Sequence, residues 1–272
     1  MTRTVLTIAG SDSGGGAGLQ ADLKTLSALG VYSASVVTAV TAQNTRRVTA
    51  IHPVPPALIR AQIDAVLDDI AVHAIKIGMI GSAEAVAAVA ASLRGCAIPI
   101  VLDPVMVAKS GDVMASDDAV AALIRDLLPL AHVLTPNLPE AARLLDQAPA
   151  GSDAEAIAQG RALCALGPRH VLMKGGHAGG SRCTDLLVGP DGVARFASAR
   201  IDTRHTHGTG CSLASAIAAG LAQGLTVVDA AGRAHDWLHG AIRAAGDLSI
   251  GGGHGPVHHF HALWPQPAEV AP

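Results

Sequence analysis

Short apolar runs with strand character alternate with helical segments along almost the whole chain, and this alternation constrains the fold most. Strands are predicted at residues 4–9, 33–40, 74–78, 98–102, 133–135 and 170–174, with a hairpin at 184–196. Helices are predicted at residues 19–29, 55–70, 83–93, 116–128, 153–166, 210–222 and 227–245, and another begins at 138. This order indicates a single-domain α/β protein with three layers, α/β/α, around a doubly wound, mostly parallel sheet.

Composition and charge exclude several classes of function. The 272 residues carry a net charge of −3 at pH 7, without the basic excess typical of proteins that bind nucleic acid or anionic membranes. No apolar stretch approaches the ~20 residues that span a bilayer. Cys96, Cys164, Cys183 and Cys211 are scattered, which argues against a zinc site and against a disulfide framework. We therefore expect a cytoplasmic protein that acts on a small molecule.

The segment Thr-His-Gly-Thr-Gly-Cys at residues 206–211 precedes a run of small, helix-forming residues. A turn from Gly208 to Gly210 at the start of a helix leaves several backbone N–H groups unpaired. Together with the helix dipole, these N–H groups suit an anion such as phosphate. Cys211 falls in the first turn, where the same field favours a thiolate. The alternative is a glycine-capped core helix with a buried cysteine.

Polar residues follow the predicted strands, and in such sheets ligands bind at the carboxyl ends of the strands. Asp103 and Glu140 place two carboxylates there, which together with substrate phosphates suit Mg²⁺. Lys174 follows an apolar strand and suits a phosphate contact. The alternatives are an ordinary first-turn acid for Glu140 and a solvated side chain for Lys174.

A glycine-rich loop, residues 10–18, follows the first strand. Residues 16–21 fit the G-x-G-x-x-A pattern, but the distance from the strand and the lack of an acid after strand two argue against a dinucleotide site. The sequence contains no P-loop motif either. The loop is either a flexible turn or a segment whose backbone approaches a small ligand.

Several short motifs occur in a fixed order along the chain. They are residues 9–13 (Ala-Gly-Ser-Asp-Ser), 41–45 (Thr-Ala-Gln-Asn-Thr), 76–79 (Lys-Ile-Gly-Met), 103–105 (Asp-Pro-Val), 135–140 (Thr-Pro-Asn-Leu-Pro-Glu), 174–177 (Lys-Gly-Gly-His), 206–211 and 253–256 (Gly-His-Gly-Pro). Over about residues 4–260 this set resembles the hydroxymethylpyrimidine/phosphomethylpyrimidine kinases of thiamine biosynthesis, which are ribokinase-like enzymes. The resemblance implies an ATP- and Mg²⁺-dependent kinase that phosphorylates 4-amino-5-hydroxymethyl-2-methylpyrimidine and then its monophosphate.

The resemblance also implies a role for each matching residue. Gln43, Asp22, Met79 and Gly10 would bind the pyrimidine, with the Gln43 amide offering both a donor and an acceptor. Asp103 and Glu140 would serve Mg²⁺, while Lys174, Asn137 and Thr209 would bind ATP. Gly208 and Gly210 would form the anion hole, and Lys174 and Cys211 would act in catalysis. Cys211 stands where sugar-kinase relatives carry an aspartate base, and His205 departs from the polar residue expected there.

Several alternatives stay open at this point. A pyridoxal or pyridoxine kinase of the same fold is the nearest rival, and a nucleotide-binding protein without turnover is a second. His254, His258, His259 and His261 are interpreted as part of a loop after Gly251, not as a metal site. We expect one kinase domain over residues 1–265, followed by a disordered tail at 266–272. A homodimer is one of the oligomeric states left open.

Overall fold

One sheet runs through the part of the chain that the computed structural model describes, residues 2–107, 111–112, 114–177 and 179–264. Its strands are β1 (Thr4–Asp12), β2 (Tyr32–Gln43), β3 (Val48–Pro53), β4 (Ala74–Ile77), β5 (Ile100–Leu102), β6 (Val133–Leu134), β7 (His170–Met173), β8 (Arg182–Gly189) and β9 (Gly192–Ala199). Its helices are α1 (Gly18–Ala28), α2 (Pro56–Asp69), α3 (Ala83–Leu93), α4 (Asp117–Ala122), α5 (Leu138–Leu145), α6 (Asp153–Cys164), α7 (Thr209–Ala222) and α8 (Val227–Arg243).

The strand order is β3-β2-β1-β4-β5-β6-β7-β8-β9. The pairs from β2 through β7 are parallel, whereas β3 at one edge and β8 and β9 at the other are antiparallel. Parallel strands end at the same edge of a sheet, and the loops that follow them therefore meet there.

Successive strand residues point to opposite faces, and each face packs against its own helices. Leu6 and Ile75, for example, pack in a core that also contains residues of α2, α3 and α6. Their neighbours Val5 and Ala74 pack in a second core with residues of α1, α7 and α8. The predicted three-layer α/β/α architecture is confirmed.

Two elements differ from the sequence prediction. Strand β3 was not predicted, because most of its residues are exposed and lack the apolar alternation of a half-buried strand. The helix predicted at 116–128 is interrupted: α4 ends at Ala122, a wider turn follows over Leu123–Leu127, and a 3₁₀ turn covers Leu128–Leu130. Pro129 has no N–H to continue the hydrogen-bond pattern of a helix, which explains why the helical pattern changes to a short 3₁₀ turn there.

The segment after Gly251 has neither helix nor regular strand, as predicted, yet it is packed into the protein. Val257 and His259 are almost fully buried. The tail predicted at 266–272 lies outside the described residues. Within the part that is described, no helix combines the length and apolar character needed to cross a membrane.

Candidate active site

A cavity of about 680 Å³ opens at the carboxyl ends of the parallel strands. The structure brings nearly all of the predicted site residues together along its wall. These are Gly10, Gln43, Met79, Asp103, Asn137, Glu140, Lys174, Gly208, Thr209, Gly210 and Cys211. They come from seven separate segments of the chain, at or near the ends of strands and at the start of α5 and α7, so the parallel topology assembles the site.

An ionic cluster occupies one side of this cavity. Lys174 Nζ lies 2.7 Å from Asp103 Oδ1 and 3.7 Å from Glu140 Oε2. Thr135 Oγ1 also donates to Asp103 Oδ1, at 3.1 Å. Burial alone would lower the pKa of Lys174, but the two carboxylates outweigh it and raise that pKa well above its usual range. Lys174 is therefore a permanent positive charge at the edge of the cavity.

Glu140 is part of the cap of α5. Its backbone N–H donates to Asn137 Oδ1, and its Oε2 accepts from the Asn137 N–H, both at 2.8 Å. This reciprocal pair is a capping box, which fixes the carboxylate toward Lys174. Burial raises the pKa of Glu140 although Lys174 opposes the shift. Glu140 is therefore both an ordinary first-turn acid of α5 and a residue of the cavity wall.

The turn before α7 depends on glycine at two positions. Gly208 has φ +81°, and a Cβ there would stand 1.9 Å from the carbonyl oxygen of Gly16. A Cβ on Gly210 would stand 3.3 Å from Lys174 Nζ and 3.4 Å from Asp103 Oδ2. The turn thus packs against the glycine loop on one side and leaves room beside the ionic cluster on the other. The N-cap residue Gly208 has no side chain to cap α7, and the Thr209 N–H donates only a long bond of 3.4 Å to the Thr206 carbonyl group, so the first turn of the helix can accept an anion.

The expectation that Cys211 is a thiolate is wrong for this structure. Burial raises the pKa of its thiol to about 11, although Lys76 and a backbone hydrogen bond with Gly18 act in the opposite direction. Removal from water therefore opposes the thiolate more strongly than Lys76 and the Gly18 hydrogen bond favour it. Cys211 lines the cavity as a protonated thiol at neutral pH.

Asp22 does not line the cavity, contrary to the sequence prediction. It is fully buried on α1, where both carboxylate oxygens contact Lys76 Nζ at 2.9 and 2.8 Å. Thr7 Oγ1 and Ser215 Oγ also donate to this carboxylate. Because Lys76 is itself fully buried, its charge needs a partner, and Asp22 provides that partner behind the site.

Asp12 is a residue that the sequence reasoning missed. Its carboxylate accepts hydrogen bonds from the N–H groups of Gly14, Gly16 and Ala17 at 2.8–2.9 Å. Its Oδ2 also lies 2.9 Å from His207 Nε2. Asp12 therefore shapes the glycine loop and ties it to the turn before α7. An aspartate two residues before a run of glycines is the sequence signal for such a turn.

The segment 251–257, which we call the C-terminal strap, contains the 253–256 motif, but the sequence analysis assigned it no structural role. Gly253 N and His254 N donate to Thr45, and Pro256 bridges to His207. A Cβ on Gly255 would stand 2.2 Å from His205 Nδ1, so His205 packs against the strap. The strap therefore supports both the loop that carries Gln43 and the turn that carries Gly208. The Gly-Gly-Gly-His-Gly sequence was the available signal.

The side-chain amide of Gln43 makes two long contacts at the cavity. Its Oε1 accepts from Thr41 Oγ1 at 3.3 Å, and its Nε2 lies 3.4 Å from His207 Nε2. Such long contacts are weak, and they leave the amide able to exchange them for a ligand.

Residues 12–258 match the family model described as phosphomethylpyrimidine kinase. The chain belongs to this family. It is 56% identical over 264 residues to the hydroxymethylpyrimidine/phosphomethylpyrimidine kinase of Rhizobium meliloti, covering 97% of this chain and 99% of that protein. It is also 51% identical to the thiamine biosynthesis bifunctional protein ThiED of Geobacter sulfurreducens, covering 95% of this chain and 52% of that protein.

Solved structures place this kinase-family chain beside the vitamin kinases. An ADP complex of Bacillus subtilis pyridoxal kinase matches with a TM-score of 0.89 and 32% identity, covering 96% of this chain and 99% of that one. The ribokinase-like fold and the membership of a kinase family, both expected from the sequence, are confirmed.

Proposed function

We propose that the protein is an ATP-dependent kinase that phosphorylates 4-amino-5-hydroxymethyl-2-methylpyrimidine and then its monophosphate, giving the diphosphate for thiamine biosynthesis. The observation that carries the proposal is the position of the Lys174–Asp103–Glu140 cluster beside the Gly208–Gly210 turn in one cavity. Phosphoryl transfer demands mainly positioning and charge neutralisation, which a cation next to free helix N–H groups supplies.

Mg²⁺ fits the donor set of this cluster. Asp103 and Glu140 offer carboxylate oxygens next to the expected position of the phosphates, and Mg²⁺ usually takes one or two carboxylates plus phosphate oxygens. Bound there, the ion would neutralise charge on the phosphates. Lys174 already holds both carboxylates at the cavity edge, so the chain presents them in a fixed arrangement.

The remaining residues divide between the two substrates. Lys174, Asn137 and Thr209 contact the nucleotide phosphates, and the N–H groups of the Gly208–Gly210 turn bind the transferred phosphoryl group. The Gln43 amide pairs with the aminopyrimidine edge.

Two further groups complete the pyrimidine side of the site. Met79 packs against Gly10, where a Cβ would stand 2.5 Å from the Met79 methyl carbon. This close approach shapes the wall for a flat ring. Cys211 lies beside the group of the pyrimidine that accepts the phosphoryl group, and its thiol is neutral.

The two steps place different demands on the site. The first nucleophile is an alcohol that must lose a proton, whereas the second is a phosphate oxygen already ionised near neutral pH, because its second pKa is about 6. Cys211 can accept the alcohol proton only after its own proton has left, which its raised pKa opposes. We therefore infer that positioning contributes more to both steps than a cysteine base.

Turnover of the purified protein with the pyrimidine alcohol, ATP and Mg²⁺ tests the proposal, with phosphorus NMR to identify the products. Sequential appearance of the monophosphate and the diphosphate is expected, and Lys174→Met should abolish both. Pyridoxal offered in competition should be phosphorylated far less efficiently. Preferred turnover of pyridoxal would favour a pyridoxal kinase instead, and nucleotide binding without any product would favour a non-catalytic protein. A cytoplasmic location and a homodimeric state stay predictions.

A further inference from the structure

A second cavity, of about 490 Å³, lies behind the glycine loop. Gly14 and Gly15 form part of its wall, whereas Asp12, Ala17 and Gly18 of the same loop line the active-site cavity. Among the residues that the structure describes, the two cavities have no lining residue in common. The catalytic residues described above therefore do not account for the second cavity, although its volume is in the range of small-molecule sites.

Lys24 on α1 is the lysine in the wall of this cavity. Its Nζ donates to the carbonyl oxygen of Gly15 at 2.6 Å, which is a neutral acceptor. The ion pairs formed among the described residues do not include Lys24. A half-buried ammonium group that has no ion-pair partner among the described residues can pair with the negative charge of a ligand.

Histidines surround this lysine but add no negative charge. Burial is the main cause that lowers the pKa of His259 to about 3, and the charge of Lys24 and the nearby His258 contribute to the same shift. Burial lowers the pKa of His258 as well. Asp247 is an exposed carboxylate in the wall of the cavity, and it forms no ion pair with Lys24. The cavity thus combines the Lys24 cation with neutral imidazoles that can donate or accept hydrogen bonds, and its carboxylate, Asp247, is exposed to solvent and not paired with that cation.

The other part of the cavity is aromatic. Phe260 and Trp264 stack with their ring centroids 5.3 Å apart, and Trp264 keeps 54% of its surface exposed. His258 meets Trp264 edge-on at 5.1 Å. A large exposed indole next to a cavity offers a flat surface on which another ring can stack.

We propose that this second cavity is a binding site for a small aromatic anion, with a phosphate group on Lys24 and a ring against Trp264 and Phe260. The site also contacts the catalytic machinery at two points. The first is Gly15, whose carbonyl group accepts a hydrogen bond from Lys24 and which belongs to the glycine loop that Asp12 shapes. The second is Ser212, the residue after Cys211, whose Oγ lies 3.1 Å from His259 Nε2. The proposal does not depend on the identity of the catalytic substrate.

Intrinsic tryptophan fluorescence provides a direct measurement with phenyl phosphate as the probe. The chain has two tryptophans. Trp264 lines the second cavity, Trp237 packs on His261 of its wall at 5.7 Å, and neither lines the active-site cavity. We expect a saturable fluorescence change with phenyl phosphate. Inorganic phosphate should compete with it, and phenol, which lacks the charge, should bind at least about tenfold more weakly.

Three variants locate the site of binding. Lys24→Met should weaken phenyl phosphate by at least about tenfold, because a charge-assisted contact is lost. Arg60→Met, which removes an exposed cation from α2 on the other face of the sheet, should change nothing. Lys174→Met should also keep the fluorescence response, because Lys174 lies in the other cavity.

The proposal is overturned if the wild-type protein gives no saturable change, or if Lys24→Met binds as tightly as the wild type. Loss of the response in Lys174→Met would also overturn it, because the probe would then occupy the active site. If Lys24→Met does not fold, competition in the wild-type protein decides the matter. Failure of inorganic phosphate to displace the probe would exclude an anion site.

Discussion

His207 Nε2 lies 2.9 Å from Asp12 Oδ2, although the two residues are 195 positions apart in the chain. This contact joins the glycine loop after β1 to the turn before α7. The same Asp12 carboxylate accepts three backbone N–H groups of the glycine loop. The position of the turn before α7 therefore depends on a carboxylate that also shapes the glycine loop.

The first prediction concerns the charge of Asp12. Burial would raise its pKa, but the hydrogen bonds from His207 and from the loop N–H groups outweigh burial and hold the pKa below its usual value. A lowered folded-state pKa contributes stability above the unfolded value of about 4 and loses it as the pH falls through the folded value. At neutral pH, Asp12→Asn should lower the free energy of unfolding by about 1–3 kcal/mol. The difference in unfolding free energy between the wild type and Asp12→Asn should shrink toward zero at pH values below the folded-state pKa, where Asp12 is protonated.

Urea unfolding over a pH series measures this difference. Asp64→Asn is the matched control, because Asp64 is exposed on α2. Its unfolding free energy should follow the wild type at every pH. A deficit in Asp12→Asn that stays constant with pH would show that the carboxylate acts only through its shape.

A second prediction separates backbone strain from close packing at the turn before α7. Gly208 and Gly224 have similar backbone angles, φ +81° and φ +89°, but a Cβ on Gly224 would meet nothing within 4 Å. Gly224→Ala should therefore cost about 1–2 kcal/mol, from left-handed backbone strain alone. Gly208→Ala should cost at least about 3 kcal/mol, because the Gly16 carbonyl group must also move. Denaturant unfolding of both variants tests this, and equal losses would contradict it.

The sequence predicts those parts of the site that depend on topology. Once the alternation of strands and helices indicates a parallel sheet, the residues after each strand must meet at one edge. Asp103 and Lys174 were placed correctly on that argument. Glu140 follows in the first turn of α5, where the capping pattern was visible from Asn137.

What the sequence leaves open depends on which side chains meet after folding. The resemblance implied that Asp22 lines the cavity, and nothing local in the sequence indicates that it pairs with Lys76, which is 54 residues away. The protonation of Cys211 depends on burial by distant segments, not on its place in a helix. The strap after Gly251 contains no periodic pattern, and its importance appears only in its contacts with Thr45, His205 and His207.

The third prediction addresses Cys211 directly. Because its thiol is protonated at neutral pH, Cys211→Ala should slow the phosphorylation of the alcohol and of the monophosphate by similar factors, below the roughly 10²–10⁴-fold range of general-base catalysis. Single-turnover assays that start from each substrate measure the two factors. A loss in that range confined to the alcohol step would instead establish a thiolate base in the substrate complex.

The fourth prediction concerns Glu140 as a metal-binding carboxylate. Glutamine can replace glutamate in a capping box, so Glu140→Gln should keep α5 intact while removing the charge. Activity should then require a higher Mg²⁺ concentration, with pyrimidine affinity nearly unchanged. Glu155→Gln is the matched control, because Glu155 is an exposed first-turn acid of α6. If both variants have the wild-type Mg²⁺ dependence, Glu140 is only a cap.

The last prediction concerns recognition of the pyrimidine by Gln43. Gln43→Leu should weaken pyrimidine binding by about tenfold to a hundredfold, because a buried donor and acceptor on the ligand lose their partner at a cost of about 1–3 kcal/mol. The existing contacts of the Gln43 amide are long, at 3.3 and 3.4 Å, so their loss should cost the folded protein little. Calorimetry with the pyrimidine and with a nucleotide measures the two affinities separately.

Gln62→Leu is the control for this variant. It removes a half-buried amide that bonds to Val37 away from the cavity, and it should leave both affinities unchanged. Equal weakening of both ligands by Gln43→Leu would indicate a general distortion of the site, and the role in recognition would then be lost.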